Sequence, residues 1–511
     1  MNAEVRSKDD AIEAAVAHAA AGHDASRQTG LAGQPGLLGT RFREMSPNTV
    51  EYWRLPPSAL TEADVLRAFE QAEFSRDGNL QMYLHVPFCP QACRFCAFSG
   101  ANSITFKERQ RYVAVLGAHM KSLVSRSKAF GQNVRSIFIG GGSPDLLGKQ
   151  IEHLLRSVTA LQGVTERTEI GCECALLTVD KEFIDTLADN KATRLSFGIQ
   201  SFDPIVRRTQ RLHGLEKLHQ VLRWAYGRIP VINADLITGL PGQTLITTLA
   251  DLQQLMAETR INAITTYDFS PANAPSVVAG LQDSSLPPRA EWYEQVLMRL
   301  FSYETLLRHG WVRRGTNTYA HPDRMRPEDF DRISGNESIA TDRYESFLIA
   351  AGPSAKSHMP GLRMEECNNL ATWFAKIERG DLPVHLPNCA CVHQRDLALW
   401  LFPLRHEGLP YEVFNKMLET DALSTEQCMT FAEYLNEGLI LRQQGAYRLS
   451  ILGEVFMGHL VRDLKSHDGK IGFDQMDADS KRLSLAILSG QFRDRNEVND
   501  RQITGGGWAL D

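Results

Sequence analysis

Three cysteines are spaced to share one metal centre: Cys89, Cys93 and Cys96, within the run Tyr83-Leu-His-Val-Pro-Phe-Cys-Pro-Gln-Ala-Cys-Arg-Phe-Cys96. Thiolates three and two residues apart, in a loop directly after a β-rich run, can wrap one cubane iron–sulfur cluster. They would ligate three irons and leave the fourth without a protein ligand. An open metal position is a place for a substrate. Zinc is the other reading, but a structural zinc takes a fourth protein ligand, and none lies nearby in the sequence.

Other residues carry weaker signals. Gly140-Gly-Gly-Ser143-Pro144 follows a second β-rich run, either as a plain tight turn or as a place where backbone closely approaches a polar ligand. Glu173 lies between Cys172 and Cys174, and strand alternation sends both thiols to the face opposite the carboxylate, as buried packing. A fourth run ends in Gly198-Ile-Gln200, followed by Arg211-Leu-His213, and a fifth contains Asn233-Ala-Asp235. A buried strand-end Asp235 needs a donor, supplied by the fold or by a ribose hydroxyl or cation. Cys389, Cys391 and His393 read as ordinary thiols and a histidine between subdomains, or as an auxiliary metal site lacking a fourth ligand. Arg207-Arg208 and Arg313-Arg314 read as solvated faces, or as clamps for a carboxylate.

These residues need a scaffold that presents loops at one end. Six β-rich runs supply it: Met82–Val86, Ser136–Ile139, Glu169–Cys174, Arg194–Ile199, Val231–Ile237 and Ala263–Phe269. Amphipathic stretches such as Phe106–Ser127 and Ile205–Tyr226 separate them. The alternation predicts an α/β fold of parallel strands with right-handed crossovers, an open sheet or a partial barrel, with chemistry at the carboxyl ends of the strands. Residues 1–45 read as an arm, 46–80 as a helical lead-in and 81–290 as the core. Residues 291–385 read as its extension, 386–465 as a winged-helix-like lid and 466–511 as a tail. Asn273 to Pro288 reads as a linker, and a long helix is predicted over Arg289–Arg308.

The 511 residues exceed one ordinary domain, and 55 basic against 61 acidic side chains exclude a polycation built for nucleic acid. No apolar run suits a membrane span and no secretory signal is evident. Nine cysteines, an odd number without a regular framework, argue for reduced thiols and a cytoplasmic protein.

The cysteine run resembles the radical S-adenosylmethionine (SAM) superfamily, whose hallmark is CxxxCxxC after the first barrel strand. Gly140–Pro144 is similar to that family's GGGTP segment. With Leu195–Phe202, Asn233–Thr244, Thr318–Asp323 and Gly352–Ser357, the likeness narrows to the oxygen-independent coproporphyrinogen III oxidase group. It spans roughly residues 80–465. The resemblance implies a partial (β/α)6 TIM-type barrel with a C-terminal winged-helix-like domain, one 4Fe–4S cluster and one or two SAM molecules. In that family the open iron binds SAM, and one electron cleaves it to methionine and a 5′-deoxyadenosyl radical. By motif position, Tyr83 and Phe95 would contact SAM, and Gly141 and Glu173 would hold its methionine end. Gln200, Arg211 and Asp235 would complete that site, and Gly142 and Ser143 would face a second SAM.

Several positions depart from the oxidase pattern. Phe98 stands where the oxidase has a further cysteine, and Asp268 and Lys356 fall where it has apolar residues beside its second SAM. Asp268 and Lys356 are therefore the candidate catalytic residues. The expectation is two-SAM one-carbon transfer, methylation or cyclopropanation, to an sp2 carbon of a tetrapyrrole or other unsaturated metabolite. The alternatives are oxidative decarboxylation of coproporphyrinogen III, anaerobic haem degradation and haem chaperoning. A flavodoxin or ferredoxin would donate the electron.

Overall fold

Parallel strands covered on both faces are rich in apolar residues, and the six runs are so on the face turned to the helices, while the other face also carries polar groups. They form β1 (Leu80–Val86), β2 (Val134–Gly141), β3 (Glu169–Cys174), β4 (Arg194–Gln200), β5 (Val231–Thr238) and β6 (Ala263–Asp268). The six pair in parallel in sequence order. This computed structural model describes residues 60–464 apart from 73–79, 97–103, 272–273, 316, 334–346, 360–361, 387–388, 392–401, 406–407, 421–422, 437, 457–459 and 461–463. The predicted arm, the tail, the lead-in before residue 60, Phe98 and His393 lie outside the described residues.

Helices connect the strands: α1 (Glu62–Gln71) before β1, then α2 (Phe106–Arg126), α3 (Ile151–Thr159), α4 (Lys181–Asp189), α5 (Pro204–Gln210), α6 (Leu218–Ala225) and α7 (Leu245–Ala257). Their starts are written locally. Thr105 and Glu108 form a reciprocal capping box on α2, and Asp180 accepts the Phe183 N–H at 2.8 Å on α4. The predicted helix over Ile205–Tyr226 is instead two, because Arg211 (φ 58°) and Gly214 (φ 83°) turn the chain between α5 and α6. A Cβ at Gly214 would lie 2.4 Å from the Leu177 backbone N, so this tight approach requires glycine. The stretch read as a linker holds a further helix, α8 (Pro275–Gln282), with proline at its first position. The long helix α9 spans Trp292–Arg308.

The sheet continues beyond the six strands. On one side β8 (Thr318–Ala320) and β7 (Val312–Arg313) pair antiparallel after β6. On the other, β9 (Phe347–Ala351) adds parallel to β1, followed by antiparallel β10 (Lys356–Met359), β11 (Leu362–Glu365) and β12 (Ala390–Cys391). Helices α10 (Pro327–Arg332) and α11 (Leu370–Glu378) belong to this extension.

Alternation sets one side chain in two toward a concave inner face, and contacts there skip a strand. Arg194 of β4 pairs with Glu169 of β3 at 3.4 Å and also reaches Thr265 of β6 at 3.4 Å. Thr265 donates to Asn233 at 2.9 Å, and Asn233 donates to Asp235 at 2.7 Å. A contact from β4 to β6 across β5 requires curvature, which is the arrangement of a partial barrel. This column of satisfied polar groups runs from the amino end of the strands up to Asp235.

The chain divides between residues 393 and 394 into two compact units. The second contains α12 (Phe402–Arg405), β13 (Leu409–Pro410), α13 (Tyr411–Glu419), α14 (Thr425–Asn436), β14 (Ile440–Gln443), β15 (Ala446–Leu449) and α15 (Ile451–Val455). Phe414 and Phe431 stack at 4.4 Å and Tyr447 closes on Phe431 edge-on at 5.1 Å, pinning the two longer helices to the hairpin. β13 pairs with β15, so the wing has three strands.

Candidate active site

The cysteine loop leaves β1 at its carboxyl end and is tied from behind. The Arg94 N–H donates to the Gln210 carbonyl at 3.2 Å, and Ser276 Oγ donates to the Arg94 carbonyl at 2.9 Å. Phe95 packs on an apolar patch formed by Val206, Ile237, Leu240, Phe269, Val277 and Leu286. Thus α5, α8 and the ends of β5 and β6 hold the loop. Within it, Gln91 Nε2 donates to Cys93 Sγ at 3.3 Å.

The three thiols are half-buried. Burial, and after it the charges on Cys96 and Cys89, push the Cys93 thiol up to about 12. Burial likewise raises Cys89, opposed by the Gln91 backbone N–H. Three neighbouring thiols resist ionising together unless a cation joins them, and iron supplies that charge. Among the described residues no three His, Cys, Asp or Glu side chains gather tightly enough for a single metal ion. A cubane spreads its thiolates over different corners, so the donor set fits a 4Fe–4S cluster.

The glycine turn is stapled to the same loop. Gly142 N–H donates to the Val86 carbonyl at 2.8 Å, and Ser143 N–H to the Phe88 carbonyl at 2.6 Å. Gly141, at φ 108°, donates to Glu173 Oε2 at 2.9 Å, and a Cβ there would lie 2.4 Å from the His85 ring. With three N–H groups spent inside the protein, the turn can offer a ligand acceptors rather than donors. Acceptors beside a carboxylate suit an ammonium group.

The remaining predicted residues surround this point. Tyr83 stacks on Phe138, and its hydroxyl lies 3.0 Å from His85 Nδ1. Burial, with the Lys356 charge second, holds His85 down to about 4, so its ring is neutral. Asp235 faces the concave side through Asn233. Gln200 sits at φ 67° with its buried Oε1 unpartnered, and neighbouring Gln210 has both amide atoms buried and unpartnered. Orphaned buried amides at the rim are what a missing polar ligand leaves behind. Arg211 is exposed, and its carbonyl lies 4.0 Å from Cys93 Sγ.

Ser143 is 1% exposed, with its N–H spent on the Phe88 carbonyl. Asp268 shares its strand face with Thr266, toward α9, where it pairs with Arg299 at 3.0 Å and accepts from Thr238 at 2.8 Å. Lys356 is half exposed and lies 3.5 Å from Glu365. The two candidate catalytic residues are thus each engaged with a partner other than the other.

The sequence reading missed several supports. Arg207 is neither solvated nor a substrate clamp: its Nη1 donates to the carbonyls of Ile199 (2.9 Å) and Ser201 (2.8 Å), bracing the strained Gln200 from both sides. Arg313 and Arg314 also brace backbone, at Gly315 and at Asp331 and Ile333. Glu366 accepts from Trp373 Nε1 (2.7 Å) and Gly352 N–H (2.9 Å) and lies 2.7 Å from His119 Nε2. It thereby fixes the Gly352 turn, where a Cβ would meet the His85 carbonyl at 2.6 Å. Cys172, Cys174 and Cys389 are buried packing.

Comparisons with known proteins agree with this arrangement. The radical SAM superfamily profile matches residues 83–255. The oxygen-independent coproporphyrinogen III oxidase of Synechocystis is 28% identical over 355 residues, covering 65% of this chain and 72% of that protein. The haem chaperone HemW of Escherichia coli is 29% identical over 248 residues, covering 48% of this chain and 63% of that protein. Coproporphyrinogen III oxidase (HemN) of Escherichia coli superposes with a TM-score of 0.64 at 19% identity, over 84% of this chain and 98% of that structure, a likeness of fold. No helix among the described residues is long and apolar enough to cross a membrane. With its cysteine loop, glycine turn and six parallel strands, the chain is an enzyme of the radical SAM superfamily and belongs to its oxygen-independent coproporphyrinogen III oxidase (HemN)-like group, which implies a 4Fe–4S cluster and SAM.

Proposed function

We propose that this protein directs radical SAM chemistry at a tetrapyrrole: a hydrogen atom is taken from a propionate side chain, and its carboxylate then leaves as carbon dioxide while one electron passes to a one-electron acceptor such as the oxidised cluster, leaving a vinyl group. The observation that carries the SAM site is the Glu173 contact with Gly141, one strand from a cysteine loop stapled to the same turn. The cluster and SAM, when bound, supply one electron and a 5′-deoxyadenosyl radical; the protein's part is to hold and shield them. Cys89, Cys93 and Cys96 would hold the cluster, and Glu173 with the turn's acceptor oxygens would take the SAM ammonium. Asp235 and Gln200 would bind further polar groups of the same molecule, and the Tyr83 and Phe95 rings would flank it.

Our reading uses one SAM molecule, because the residues assigned to a second are engaged within the protein: Gly142 and Ser143 through their N–H groups with Val86 and Phe88, and Asp268 with Arg299. One-carbon transfer, the first expectation from sequence, finds no support among the relatives. They are named for coproporphyrinogen oxidation and haem chaperoning, so they favour the alternatives. A flavodoxin- or ferredoxin-type donor would supply the electron.

The test incubates anaerobically reconstituted protein with dithionite, methyl-labelled SAM and coproporphyrinogen III. Carbon dioxide with 5′-deoxyadenosine and methionine is expected. Label in the product with S-adenosylhomocysteine would replace the proposal by one-carbon transfer. The similarity to HemW favours a second reading as a haem chaperone, which would give stoichiometric haem binding without SAM cleavage.

A further inference from the structure

Gln91 lies midway between the first two cluster cysteines and donates to the second. Its side-chain Nε2 lies 3.3 Å from Cys93 Sγ. The geometry is not left to a loose loop. The Cys96 N–H donates to the Cys93 carbonyl at 3.3 Å, and the next residue, Arg94, is held at its N–H by Gln210 and at its carbonyl by Ser276. Gln91 Oε1 is buried without a partner, so the amide is oriented by the bond its nitrogen makes to sulfur.

An N–H···S bond is stronger when the sulfur carries more negative charge. A 4Fe–4S cluster that takes one electron places part of that charge on its sulfur ligands. Donors aimed at those sulfurs therefore favour the reduced form and raise the reduction potential. We infer that Gln91 is a positioning residue that makes the cluster easier to reduce by bonding one of its three thiolates. Substitution of the side chain removes that bond. The inference rests on the three thiols holding the cluster. The step involved is one electron from an external low-potential donor to the oxidised cluster, with no bond made or broken.

The experiment compares the full chain with Gln91→Met, which keeps length without a donor, and Gln91→Lys, which restores an N–H donor. After anaerobic reconstitution, iron and sulfide are quantified, and the cluster is titrated by paramagnetic resonance at controlled potential, without substrate. In Gln91→Met the ratio of reduced to oxidised cluster at fixed potential is expected to fall about tenfold, which is about 59 mV for a one-electron couple. Iron content should stay unchanged, and Gln91→Lys should return to the wild-type potential or above. Equal potentials in wild type and Gln91→Met overturn the inference. A Gln91→Met protein that folds but holds little or no iron overturns it as well, because Gln91 would then serve loop folding. Wild-type protein without iron would instead sink the cluster assignment itself, an outcome the iron analysis separates from the others.

Discussion

Replacing Glu366 tests how the active-site wall is supported. Its carboxylate is 1% exposed and takes three partners: His119 at 2.7 Å, Trp373 Nε1 at 2.7 Å and the Gly352 N–H at 2.9 Å. In Glu366→Gln one oxygen can still accept from Trp373 and Gly352, while the new NH2 faces His119, whose ring can change tautomer to accept. Only the charge assistance is lost, about 1–2 kcal/mol. In Glu366→Leu all three groups stay buried without a partner, at about 1–3 kcal/mol each, so a loss of about 3–9 kcal/mol is expected. At about 2 °C per kcal/mol for a large unit, melting should fall by at least about 6 °C in Glu366→Leu and by about 2–4 °C in Glu366→Gln. Anaerobic thermal unfolding followed by circular dichroism measures both. A Glu366→Leu protein melting within about 2 °C of wild type would refute the account. Gly352 would then be held against His85 by packing alone.

Three further outcomes follow from the site. Gly141→Ala forces a Cβ to 2.4 Å from His85 at φ 108°, so it should weaken SAM binding at least about tenfold, read by equilibrium dialysis, with the cluster absorbance intact. Cys93→Ala should abolish the charge-transfer absorbance near 400 nm while leaving far-ultraviolet circular dichroism unchanged, a reading of about 400 nm being the usual signature of such a cluster. Burial raises Asp251 from 3.8 to about 6, so between about pH 4 and pH 6 the folded chain keeps a proton that the unfolded chain has lost. Stability contributed by this proton is present below about pH 4 and is lost as pH rises to about 6, by about 3 kcal/mol. Asp251→Asn should lack that decline, measured as the difference in melting temperature from wild type across pH 4–8.

The strands were legible because their helix-facing positions are apolar in alternation, as in Leu195, Phe197 and Ile199, and each run sits between turn signals. The break between α5 and α6 was not, since Arg211 in a left-handed conformation carries no local mark and only Gly214 hints at it. The cysteines and the glycine turn carry their chemistry in close spacing, so they could be read from the chain, whereas Glu173, 32 residues from Gly141, was assigned only through the family resemblance. Glu366 could not be read, because its role exists only through a long-range contact, its reach across 247 residues to His119, and Arg207 could not, because carbonyls six and eight residues back carry no mark of a side-chain donor. The direction of Asp268 was legible from strand parity. It shares parity with Thr266, which faces the helices, and differs from Thr265, which faces Arg194.

The alternation that turns Glu173 to the glycine turn and sends Cys172 and Cys174 behind the sheet has a bearing on damage by air. Burial raises both rear thiols well above their ordinary value, leaving almost no thiolate to react with oxidants or exchange with a disulfide. Oxygen that strips a cluster leaves Cys89, Cys93 and Cys96 as the accessible thiols of the barrel's mouth, and their first oxidation products are reversible. The thiols open to oxidants therefore lie in the loop, and those within the sheet are shielded by burial.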